Sequence, residues 1–175
     1  MITRREFGLA AAAGVAAMVA GARPSAAQDR TGVTANSVKV GVLGSLTGVQ
    51  AVFGQGNISG AEIVFDEVNA AGGIHGRRIE IVSVDDESTP ARSIAGFRRL
   101  VDDERVFGVF GPSSSAIGQA MEPTLRATTS VPVFISIFST PAATEPFKPN
   151  VFRTGPLNDR LQGIAIADFV LDELK

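Results

Sequence analysis

Four short apolar runs punctuate the chain: SVKVGVLG (Ser37 to Gly44), RIEIVSVD (Arg78 to Asp85), VFGVF (Val106 to Phe110) and VPVFISI (Val131 to Ile137). They are rich in Val, Ile and Phe and too short for buried helices, so they predict strands. The stretches between them have a different period. In NISGAEIVFDEVNAAGG, residues Ile58, Ala61, Phe65 and Val68 fall on one helical face, and Gly72-Gly73 supply a left-handed stop. Thr89 stands where an N-cap would, with Pro90 at the first helical position, and Ile94, Phe97, Leu100 and Val101 mark a buried face. A third helical segment runs from Ala116 to about Thr128 and contains Pro123, which should kink it. The Gly-rich stretch from Gly44 to Gly56 reads as a long loop.

Regular alternation of strand and helix points to parallel pairing, because each parallel crossover needs a connection long enough to hold a helix. The predicted fold class is α/β, a Rossmann-like parallel sheet with helices on both faces. The nearly unbroken apolar strands agree, as both faces of such a sheet are covered. Loops that follow strands then share the carboxyl edge, where open α/β sheets bind ligands. Three segments meet there: 44–57, 111–116 and 138–143. They contain no charged residue and offer Ser45, Thr47, Gln50, Gln55, Ser113, Ser114, Ser115, Ser139 and Thr140, with Phe53 and Phe138 for apolar contact.

The first 27 residues read differently. A basic head with Arg4 and Arg5, a weakly apolar Ala/Gly stretch and small residues at Ser25 and Ala27 form an export signal that resembles the twin-arginine type and is cleaved near Ala27. The apolar part, Gly8 to Ala22, is shorter than the roughly 20 residues of a membrane span. Removal of the signal leaves 148 residues, the size of one compact domain, with 13 basic and 17 acidic side chains. An acidic chain is a poor match for nucleic acid. With no cysteine in the sequence, disulfides and thiolate-bound metal are excluded, and stability rests on the apolar core.

Several chemistries use serines at such a rim. A serine hydrolase needs a base beside its nucleophile, but the one histidine, His75, lies in a turn after a helix and therefore at the opposite edge. GPSSS also lacks the second glycine of the nucleophile elbow. Gly54, Gly56 and Gly60 are spaced one residue too long for a dinucleotide fingerprint, and the rim holds no lysine for a phosphate loop. The acidic triplet Asp102-Asp103-Glu104 ends a helix and reads as solvated surface; Asp85-Asp86-Glu87 follows the second strand and could reach the rim, although such runs are usually solvated, and no histidine accompanies it to suggest a metal site. Ser114 or Ser115 is expected to cap a helix, and a capped helix start also attracts a carboxylate. The expectation is a binding site without catalysis, metal or cofactor.

From about Val38 onward, GVLGSLTG, the FGQG loop, NAAGGIHGR, the Asp-Asp pair after the second strand, VFGPSSS and NVFRTGP resemble the periplasmic branched-chain amino acid binding proteins of ABC importers. The resemblance implies two α/β lobes that close over an amino acid, with residues 28–150 as lobe one, 151–155 as a hinge strand and 156–175 as the first helix of a second lobe. It implies that this sequence is the N-terminal portion of a longer protein. The helix, with Leu161, Ile164, Ala165, Phe169 and Leu171 on one apolar face, would lack its sheet. Carried over from the family, the ligand's head group is held by Ser114 and Ser115, and by Phe138, Ser139 and Thr140 after the fourth strand, with Phe53 as the aromatic of the first loop. The implied partners are a small-molecule ligand and an inner-membrane ABC permease, and the implied state is a periplasmic monomer. The fourth strand ends SIFST where relatives usually read SPSAT, which keeps amides and aromatic or other small carboxylates open as ligands.

Overall fold

The computed structural model describes residues 31–112, 114–155 and 158–173, so the segment expected to be an export signal, Ser113 and Leu157 lie outside the described residues. Five strands, β1 (Ser37–Gly44), β2 (Arg78–Asp85), β3 (Gly108–Phe110), β4 (Val133–Ile135) and β5 (Val151–Arg153), form one sheet in the order β2-β1-β3-β4-β5. Every pairing is parallel. The sheet is thus the α/β layer expected from the sequence, and the region called a hinge strand is its fifth member.

The helices are α1 (Ala51–Ala70), α2 (Pro90–Arg98), α3 (Ser115–Ala127) and α4 (Asp159–Glu173). The step from β1 to β2 moves one way along the sheet, and the next two crossovers move the other way. With right-handed crossovers, α1 lies on one face and α2 and α3 lie together on the other, and α2 does pack against α3. Chain order reverses between β1 and β3. Loops diverge at that point and leave a crevice at the carboxyl edge.

Most of the core lies beneath α2 and α3, where Leu43, Val109, Val133 and Ile135 from the sheet meet Phe97, Leu100, Ile117, Met121 and Leu125, all nearly inaccessible. Alternate residues of the same strands point to the other face. Phe110, Phe134 and Phe152 are register partners across β3, β4 and β5, and their rings stack with centroids 5.0 and 5.6 Å apart. Phe65 of α1 meets the first ring edge-on at 6.2 Å. Because α1 packs on β1 and β2, this row is covered at one end, and Phe152 remains half exposed. A cavity of about 390 Å³ opens between α1 and the row, lined by Val42, Val64, Phe65 and Phe110 and rimmed by Asn57 and Ser136.

Two local readings need correction. The stretch up to Gly56 is a loop only as far as Gln50, and α1 begins at Ala51. Gly54 permits the early start: a Cβ there would lie 2.1 Å from the Ser45 carbonyl oxygen, so glycine lets the first turn press on the loop after β1. Ile58, Ala61, Phe65 and Val68 are each partly buried, which makes them the sheet-facing stripe that their spacing predicts. The apolar residues of α4 do not form one face, since Ile166 and Val170 lie across the helix from Leu161 and all of them are exposed. Asn158 caps this helix by accepting the Leu161 N–H at 3.0 Å.

Candidate functional site

The loop after β1 is fixed from beneath by the acidic pair that the sequence suggests is solvated. Asp86 is wholly buried. Its carboxylate accepts the Ser45 hydroxyl at 2.6 Å, the Ser93 hydroxyl at 2.5 Å and the Ser88 N–H at 2.9 Å. A buried charge needs such a set of donors, and three short bonds supply it. Asp85 accepts the N–H groups of Leu46 and Thr47 at 2.9 and 3.3 Å, the Thr47 hydroxyl at 2.7 Å and the Glu87 N–H at 2.8 Å. Partial burial pushes the Asp85 pKa up, but bonds from the Thr47 hydroxyl and from the Glu87, Leu46 and Thr47 amides outweigh it and hold the group below its ordinary value. The correction has a plain cause. In sequence the triplet is a charge run, but in the fold it sits where two loops need an acceptor.

The serine loop follows β3. Ser114 occupies the N-cap position of α3 in an extended conformation, yet its side chain makes no capping bond. Instead its Oγ accepts Gln50 Nε2 at 3.2 Å, across the crevice from the start of α1. Ser115 Oγ accepts the Ser139 N–H at 3.2 Å and lies 3.3 Å from Ser139 Oγ. Thr140, almost buried, has its Oγ1 3.4 Å from Gln119 Nε2. Ser114, Ser115, Ser139 and Thr140 are therefore brought together around the first turns of α3. Phe53 is on the first turn of α1 at the same edge and is half exposed.

Phe138 is turned away from the crevice. Its ring is 1% exposed and lies over Gly118, where a Cβ would come within 2.1 Å of the ring carbons. The bulk that distinguishes SIFST is therefore spent in the core beneath α3. The Phe138 carbonyl is occupied too: Arg153 donates to it through Nη1 and to the Thr140 carbonyl through Nη2 at 2.9 Å. The rim's own loops are uncharged, but this guanidinium on β5 holds one of them by a two-pronged grip. The sequence reads Asp86 as solvated, places Gln50 on the rim without a partner and gives Gln119 and Arg153 no role. The first lies in a charge run and the last in NVFRT, and only the fold shows which groups they face.

His75 is exposed in the turn between α1 and β2, with a positive φ of 50°. That turn is at the amino edge of the sheet, so it supplies no base to the serines. Among the described residues no helix is long and apolar enough to cross a membrane.

With this geometry in view, the comparisons are specific. A family model described as periplasmic binding protein matches residues 37–175. The chain belongs to this family. A curated amino acid binding protein of Pseudomonas aeruginosa is 36% identical over 141 residues, a match that covers 79% of this chain and 36% of that protein. The Leu/Ile/Val-binding protein of Escherichia coli is 36% identical over 69 residues, covering 39% of this chain and 19% of its own. Among solved structures, the branched-chain amino acid transporter substrate-binding protein LivJ of Streptococcus pneumoniae, in complex with isoleucine, superposes with a TM-score of 0.71. It is 29% identical, and the match covers 79% of this chain and 39% of that one. A type 1 periplasmic binding protein of Bordetella pertussis gives 0.72 at 29% identity, covering 79% and 38%. This periplasmic binding protein chain thus spans well under half the length of these relatives.

Proposed function

We propose that this chain provides the first ligand-gripping lobe of a non-catalytic substrate-binding protein that delivers amino acids, branched-chain ones foremost, to an ABC importer. The observation that carries the reading is the cluster of Ser114, Ser115 and Thr140 hydroxyls around the start of α3, at the sheet's switch point. Neutral donors suit a zwitterion, which brings its own balanced charges, and helix amides favour its carboxylate. Relatives described as amino acid binding proteins, one of them solved with isoleucine, support the same ligand class. In this reading residues 28–150 form the lobe, 151–155 lead out of it and 156–175 begin a second lobe. The protein is exported, loses its signal near Ala27, works in the periplasm as a monomer and meets a permease in the inner membrane.

The test is a nitrogen–proton NMR titration of residues 28–175 with leucine, valine, a short amide and benzoate. Shifts confined to Ser114, Ser115, Ser139 and Thr140 on adding leucine or valine are the expected result. Shifts with benzoate or the amide alone would overturn the ligand class, and a well-dispersed spectrum that none of the four perturbs would overturn the site.

A further inference from the structure

The hydroxyls at the site are not free to choose their role. An amide nitrogen has protons and no available lone pair, so Gln50 Nε2, 3.2 Å from Ser114 Oγ, can only donate. The same holds for Gln119 Nε2 toward Thr140 Oγ1 at 3.4 Å and for the Ser139 N–H toward Ser115 Oγ at 3.2 Å. A hydroxyl that accepts such a bond keeps its single proton for a different acceptor. Ser115 has Ser139 Oγ within reach at 3.3 Å, whereas the Ser114 and Thr140 hydroxyls each keep a proton beyond the bond they accept.

The backbone that carries Gln50 is itself anchored. The Gln50 backbone N–H donates to Ser88 Oγ at 3.1 Å, Ser88 Oγ donates to the Thr47 carbonyl at 3.2 Å, and Ser88 N–H ends on the buried Asp86 carboxylate at 2.9 Å. Glu87 and Ser88 are consecutive non-glycine residues at positive φ, 49° and 59°, a costly backbone held in place by the two aspartates. Bonds from buried Asp86 through Ser88 therefore hold the Gln50 backbone, and from it the side chain reaches Ser114.

We propose that Gln50 and Gln119 are positioning residues that set the polarity of the site. By donating to Ser114 and to Thr140 they take up one of the two acceptor lone pairs of each hydroxyl and leave its single proton for the ligand, which biases both hydroxyls toward donating. The crevice then prefers a ligand end that only accepts, a carboxylate, over the corresponding carboxamide. This rests on the reading of Ser114 and Thr140 as ligand contacts.

The experiment compares the affinities of the chain for leucine and for leucinamide, by NMR titration, in the wild type and in Gln50→Met and Gln119→Met. Methionine nearly matches glutamine in size, adds no charge and removes the donor. The ratio of the two affinities should narrow roughly tenfold in each variant, because a hydrogen bond to a charged acceptor loses its enforced direction. A residue with a merely structural role would weaken both ligands alike, so an unchanged ratio in both variants overturns the proposal. Gln119 is on the exposed side of α3, which keeps the comparison available if Gln50→Met does not fold. A wild type that binds neither compound at any concentration overturns the ligand reading itself, and the proposal falls with it.

Discussion

Ser45 and Asp86 share a 2.6 Å hydrogen bond in full shelter from solvent, joining the loop after β1 to the turn after β2. Removing the acceptor strands two hydroxyls and an amide in the interior. Asp86→Ala should destabilise the chain by about 3 kcal/mol, the range for buried polar groups left without partners. Asp86→Asn, which keeps one acceptor oxygen, should cost less. Urea denaturation of the three proteins checks the order.

Asp85 makes stability depend on acid. Its pKa is lower in the folded chain, so its contribution is present above the unfolded value and is lost as pH falls through the folded one. The stability gap between the wild type and Asp85→Asn should be fully open at neutral pH and should close below about pH 4. A gap that stays constant down to strongly acid solution would contradict the assigned bonds. Urea midpoints measured at several pH values decide the matter.

Gly118 and Phe138 are a matched pair. Gly118→Ala places a methyl group where the ring lies and should cost about 1–3 kcal/mol by overpacking. Adding Phe138→Leu should recover part of that loss, because the smaller side chain vacates the space. A double mutant that unfolds more easily than Gly118→Ala would show that the ring is not the obstacle.

If Ser115 and Thr140 hold the ligand's head group, replacing both by alanine should weaken leucine binding by a few kcal/mol, about 1.5–3 for each bond to a charged group. Unfolding midpoints should shift as well, since Ser115 also accepts the Ser139 N–H and Thr140 is almost buried, so the affinity loss is read against each protein's own melt. Calorimetry alongside thermal melts separates the two effects.

The strands and their parallel order were legible because short Val/Ile/Phe runs alternated with helix-period segments, and that pattern admits few topologies. That a serine, Ser114 or Ser115, stands at the head of α3 followed from residue type and position, but the capping bond expected of it is not made by Ser114. Less legible was the start of α1, where two glycines disguised a helical turn whose purpose is to pass close to Ser45. The acidic pair misled for a related reason. Composition reports what a side chain would do in water, whereas Asp86 is defined by the three donors that the fold brings to it. The same limit hid the contacts of two residues already placed on the rim: Gln50, which the fold sets opposite Ser114, and Phe138, whose ring lies in the core against a glycine 20 positions earlier in the chain.

Arg153 is on β5 and grips the carbonyls of Phe138 and Thr140, while β5 itself is zipped in register to β4, which leads into that same loop. Strand, guanidinium and loop are therefore linked like the parts of a lever. A pull on the chain just beyond Thr154 is delivered to the loop after β4 with little slack, and whatever stiffens that loop resists the pull in return.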